Sequence, residues 1–133
     1  MKTKTTIAAI FLSIGLWAQN KQSIAVLNID TKGVIQNSEE MGYLVRLELE
    51  KTKTYSVLDK YEVNEVIKAN EIDISNCYSK TCLVNTGKLL KADKMLSGSV
   101  ERLDEKVVVS LRIIDVATGA IEKTESSEFL NLP

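Results

Sequence analysis

Cys77 and Cys82 are the only two thiols in a chain of 133 residues that contains no histidine. A C-x4-C pair can form a structural disulfide, work as a redox dithiol, or supply half of a metal site, and the cell compartment decides among these. Met1 to Gln19 speaks to the compartment. Lys2 and Lys4 make a positive start, Thr6 to Trp17 is an apolar stretch, and Ala18-Gln19 leads into the polar Asn20-Lys21-Gln22. That is the layout of a secretory signal peptide, too short and wrongly flanked for a stable membrane span. Cleavage after Trp17, Ala18 or Gln19 all remain open, since Gly15 is the small residue three places before the first of these. No cysteine lies near residue 19 to accept a lipid, so no lipid anchor is expected and residues 20–133 are expected to form one periplasmic or secreted domain. In an exported chain two cysteines point to a disulfide, and closing this small ring would stabilise the fold by about 2 kcal/mol on the chain-entropy model. A redox role is the weaker reading, because catalytic dithiols use closer C-x-x-C spacing and only Lys80 and Tyr78 offer activating neighbours here. Zinc lacks ligands, so neither a metal nor another cofactor is expected.

Other residues that could do chemistry have plainer explanations. Glu39-Glu40 and Asp104-Glu105 could in principle supply the two carboxylates of a small periplasmic hydrolase. One pair stands where a helix begins and the other where a turn is needed, so caps and turns account for both. Ser97-Gly98-Ser99 is reminiscent of a nucleophile turn but has no histidine to work with and no strand-to-helix transition. Gly87 lacks the companion glycines of a phosphate-cradling loop. The 17 basic and 18 acidic residues leave a net charge of -1 with no long block of either sign, which gives nucleic acid no bulk attraction. No catalytic residue is therefore expected, and binding rather than catalysis is the expected work of the chain.

The elements that would position any such surface are legible in the apolar spacing. Ser23 to Ile29 (SIAVLNI) is a nearly continuous apolar run of the kind found in buried central strands, and Asp30-Thr31-Lys32-Gly33 reads as a polar break. Asn37 and Ser38 are helix-cap candidates ahead of Glu39-Glu40. Met41, Leu44, Val45 and Leu49 then recur at helical spacing, with Arg46, Glu48 and Glu50 on the other sides. Tyr55 to Leu58 reads as a short strand, and Asp59 caps a helix that carries Val63, Val66 and Ile67 to about Asn70. Cys77 to Cys82 leads into a third helix with Leu83, Val84, Gly87 and Leu90 on one face. Met95 to Leu103, Lys106 to Val116 and a run after Thr118-Gly119 form an antiparallel meander. In its middle strand Val107, Val109, Leu111 and Ile113 share one face and Lys106, Ser110 and Arg112 the other, as in a sheet with one covered face. Strand-helix-strand order makes the first two strands parallel neighbours joined by a right-handed crossover. The expected fold is a two-layer α/β (α+β) sandwich, β-α-β-α-α-β-β-β, with a mixed sheet of about five strands.

Three stretches carry a family likeness. They are Leu58-Asp59-Lys60-Tyr61 through Val66, then Cys82-Leu83-Val84-Asn85-Thr86-Gly87-Lys88-Leu89-Leu90-Lys91-Ala92-Asp93, then Leu96-Ser97-Gly98-Ser99-Val100. Ile113 to Gly119 adds a hairpin of the form R-l-i-D-v-x-T-G. Together they resemble a group of bacterial envelope domains: the amino-terminal domain of TolB, the periplasmic domain of CsgG-type curli secretion channels, and lipoprotein activators of penicillin-binding proteins. The resemblance implies an anticodon-binding-domain-like sandwich used for contacts with other envelope proteins, in secretion, assembly or cell-wall synthesis. It leaves homo-oligomer formation open and carries no nucleic-acid binding beyond analogy of fold. It also implies structural roles: close packing at Gly87 and Gly98, a helix end at Asp93, and a turn at Thr118-Gly119. Pore formation does not transfer, because no membrane-spanning hairpins accompany the domain.

Overall fold

The computed structural model describes residues 21–130, so the expected signal peptide lies outside the described residues. Nine elements follow in order: β1 (Ser23–Val26), β2 (Asp30–Lys32), α1 (Ser38–Thr52), β3 (Ser56–Val57), α2 (Lys60–Ala69), α3 (Lys80–Leu90), β4 (Lys94–Leu103), β5 (Lys106–Asp115) and β6 (Ile121–Leu130). The helices start where side chains can satisfy their free N–H groups. Asn37 Oδ1 accepts from Glu40 N at 2.8 Å while Glu40 Oε2 accepts from Asn37 N at 3.1 Å, a capping box. Asp59 caps α2 by accepting from Tyr61 N at 2.7 Å, and Ser79 caps α3 by accepting from Cys82 N at 3.2 Å.

The sheet runs β3-β1-β4-β5-β6, with β2 also paired to β4. β1 is parallel to β3 and to β4, whereas β4, β5 and β6 form the expected antiparallel meander. The mixed α/β class is as expected, and its layering is fuller. From β1 the chain crosses to β3 on one side; from β3 it returns past β1 to β4 on the other. Two right-handed crossovers in opposite directions put their helices on opposite faces. α1 covers Ile24, Val26, Ile29, Leu96 and Val100, while α2 and α3 cover Ala25, Leu27, Met95 and Ile114. Covering on both faces is what the continuous apolar run at Ser23–Val26 demands, so the expected two layers become three at β1 and β4.

The reading of Asp30 to Gly33 as a break is also corrected. β2 continues along the edge of β4 that β1 occupies: Ile24, Ala25 and Val26 face Lys94, Met95 and Leu96, then Asp30, Thr31 and Lys32 face Ser99, Val100 and Glu101. Between the two stretches this strand spends one residue more than β4, as in a bulge. Polar side chains are tolerated there because Asp30 and Lys32 are exposed.

Candidate interaction surface

Cys77 and Cys82 are joined as a disulfide that ties the loop before α3 to its first turn, and Cys77 is buried in the core. A Cβ placed on Gly87 would stand 2.7 Å from Val116 Cγ2 and 3.0 Å from Met95 Cγ, so α3 rides close on β4 and β5. At Gly98 an added Cβ would collide with the backbone of Ser110 on β5. Asp93 lies beyond the end of α3, which Lys91 closes in the left-handed region. The Asp93 carboxylate accepts from Ser23 N at 2.9 Å, and Asp93 N donates to Ser23 Oγ at 2.9 Å, pinning the start of β1. Thr118 and Gly119 form the β5–β6 turn. Thr118 N and Oγ1 donate to Asp115 Oδ2 at 2.9 and 2.7 Å, and Gly119 takes φ +74°. These residues position strands and do not gather around one point.

One acid of each carboxylate pair is committed. Glu40 closes the capping box, and Asp104 makes the β4–β5 turn with φ 55°. Ser97 lies inside β4, not at a strand-to-helix turn, and its buried hydroxyl has no hydrogen-bond partner among the described residues.

One ionic cluster is tightly built. Lys94 is only 5% exposed, and its ammonium donates to Asp115 Oδ1 at 2.8 Å and to Glu122 Oε1. The hydrogen bonds to Asp115 and then Glu122 raise the Lys94 pKa above its ordinary value. Lys94, then the Thr118 hydroxyl and N–H, hold Asp115 down to about 2. This cluster locks the ends of β4, β5 and β6 together.

What the fold leaves open is the outer sheet. Every residue of β6 is exposed over ten residues, and its far side has no strand partner among the described residues. A free edge of that length offers a row of unpaired N–H and C=O groups to an incoming strand. Beside it runs an apolar groove of about 630 Å³ with Leu96, Leu111 and Ile113 as its floor, Met41, Leu44 and Val45 as its wall, and Lys123 and Glu125 on its rim. Leu44 was expected in the core, and instead it is half-exposed on this wall. Further along the same face Val107 pairs with Phe129, which is 57% exposed. The expected row Val107, Val109, Leu111 and Ile113 does pack on the α1-side core, but only partly, since α1 stops short of the outer strands. Tyr55 lines the groove, while Tyr61 on α2 is exposed.

The family model for the TolB amino-terminal domain matches residues 12–121. The chain belongs to that family. TolB from Acinetobacter baumannii is similar in structure, at TM-score 0.52 and 12% identity, across 86% of this chain and 24% of that one. The TolB amino-terminal fold recurs in the LpoB C-terminal domain from Salmonella enterica, at TM-score 0.70 and 10% identity over 91% of this chain and 92% of that one. It recurs again in a PelC dodecamer from Paraburkholderia phytofirmans, at TM-score 0.52 and 15% identity over 84% and 72%. At these identities the likenesses show the fold alone. A comparison with curated proteins finds no match. The expected CsgG-type likeness finds no support, so the curli reading is dropped.

Proposed function

We propose that this TolB amino-terminal-type domain is an exported, non-enzymatic module of the bacterial cell envelope that binds another envelope protein. Membership of the TolB amino-terminal family carries the reading. The geometry supports it, because Glu40, Asp104 and the two cysteines are spent on a cap, a turn and a disulfide, and Ser97 is buried inside β4. The most available surface is the free edge of β6 with its apolar groove. An extended segment of the partner pairs with the β6 backbone and sets alternate apolar side chains into the groove, the mode in which main-chain bonds give affinity and pockets give specificity. Cell-wall synthesis and the assembly of envelope complexes are the settings that the family likeness favours. Chemical cross-linking in intact envelopes, followed by capture of the exported chain, tests the reading. We expect a defined partner with the wild type and its loss when Ser127→Lys and Phe129→Lys place charges along the edge.

Self-association is a second reading, favoured by the same unpaired edge and by the dodecameric state of the PelC structure. Sedimentation of the purified protein decides it. A concentration-dependent rise in mass that the same two substitutions remove supports pairing through β6.

A further inference from the structure

The open edge of β6 carries charges of both signs. Lys123 and Glu125 stand two residues apart on the face that holds the groove, their side chains 62% and 72% exposed and 3.2 Å from each other. Glu122 is turned to Lys94 and Glu128 to Lys106, so those two acids are engaged within the chain. Charge on a sheet edge commonly repels a stray strand. A row of one sign would do so against every arrangement of a second copy. Alternating signs act differently, because they repel in some registers and attract in others.

A second copy that pairs antiparallel with β6 about a two-fold axis keeps the same face of the sheet upward, and one residue of the strand then faces its own counterpart. The choice of that residue fixes every other pair. With Glu122, Lys123, Glu125 or Glu128 on the axis, a charge meets its own kind. With Ser126 or Ser127 there, no opposite charges meet, and Phe129 faces Lys123 in the first case and Glu125 in the second. With Thr124 on the axis, Lys123 of each copy faces Glu125 of the other, Glu122 faces Ser126, and no like charges are opposed. Opposite charges directly across an antiparallel pair stabilise it, and like charges destabilise it.

We propose that the free edge of β6 is the interface of a symmetric homodimer with Thr124 on its two-fold axis. This symmetry rests on the self-association reading above and adds the register to it. Lys123 and Glu125 of the two copies form a closed ring of four alternating charges, each lysine between its own glutamate and that of the second copy. Both residues lie on the groove rim, so the two grooves, floored by Leu96, Leu111 and Ile113, come to lie on either side of the axis on one continuous sheet. Past the paired stretch the exposed Phe129 of each copy runs toward the β5–β6 turn of the other at Gly119, which has no side chain to obstruct it.

Cysteines facing each other on the axis lie within disulfide reach, about 5 Å between Cα atoms, whereas a pair at Ser126 would stand about 14 Å apart. The test oxidises Thr124→Cys and Ser126→Cys with diamide in the purified exported protein, and measures the dimer dissociation constant of charge variants by sedimentation equilibrium. We expect several-fold more covalent dimer from Thr124→Cys than from Ser126→Cys. Lys123→Glu and Glu125→Lys should each weaken the dimer several-fold by setting like charges opposite one another. Lys123→Glu combined with Glu125→Lys should restore it, which separates a lost charge pair from a damaged strand. Equal dimerisation of all the charge variants, or covalent dimer that favours Ser126→Cys, overturns the register and leaves self-association in place. A mass that stays monomeric at every concentration overturns both, and leaves β6 to the envelope partner alone.

Discussion

β1 and β6 are strands of one sheet and lead opposite lives. β1 has four residues, three of them buried, with helices on both faces and a strand on each side. β6 has ten residues, none buried, and among the described residues only one neighbouring strand. The inner strand is held by apolar contact, since Ile24 and Ala25 are fully shielded and face opposite cores. The outer strand is held by its ladder to β5 and by ions at its start, where Glu122 meets Lys94. Stability is thus concentrated at β1 and β4, and availability at β6. Elements from which binding surfaces are drawn belong to the low-stability end of a structure.

Mutation should break the comparison most sharply at the core. Leu83→Ala or Ile24→Ala should cost about 2–5 kcal/mol in urea unfolding, by lost burial plus the cavity left behind. Phe129→Ala on β6 should cost less than about 0.5 kcal/mol in the same assay. Next comes the loop that feeds α3: reducing the disulfide, or Cys77→Ser with Cys82→Ser, should cost about 2 kcal/mol. Equal midpoints for the oxidised and reduced protein would show that the ring does not stabilise the fold.

The ionic lock on the outer strands gives a pH signature. Asp115 is held below its ordinary value, so the stability it contributes is fully present above about pH 4 and is lost as pH falls toward about 2. Lys94 is raised, so its contribution persists through neutral pH and fades only as the pH climbs past the ordinary lysine range. Asp115→Asn should flatten the acid limb of a midpoint-against-pH curve while leaving the limb of a core variant such as Leu83→Ala parallel to that of the wild type. The smallest effect is expected at Ser97. Its hydroxyl is buried without a partner, so Ser97→Ala should change stability by less than about 0.5 kcal/mol or raise it slightly.

Local chemistry made much of the fold legible. Asn37 and Asp59 announce helix starts because a short side-chain acceptor before an amphipathic run has few other uses. Val107 to Ile113 announces a strand because period-two alternation fits only a pleated surface. Where the reading failed, tertiary position had overridden local pattern. β2 was missed because Asp30 and Lys32 look like loop residues, and only the adjacent edge of β4 makes them a strand. Gly42 gave no signal as a glycine in a helix, yet a Cβ there would collide with the Leu27 carbonyl, so α1 depends on it to approach β1. Arg46 falls on an outer side of α1 by its spacing, where charged residues are normally exposed, yet it is only 6% exposed, with its guanidinium over the Tyr43 ring. Binding surfaces escape such reading in general: an edge strand and a groove are defined by what fails to cover them.

The central claim is that β6 and its groove are the working face, with the buried strands as support. Backbone amide exchange of β6, measured with and without the cross-linked partner, tests it most directly. Strong new protection along Ile121–Leu130, with β1 and β4 unchanged, is the predicted result. Protection confined to other surfaces, with β6 exchanging as fast as in the free protein, would contradict it.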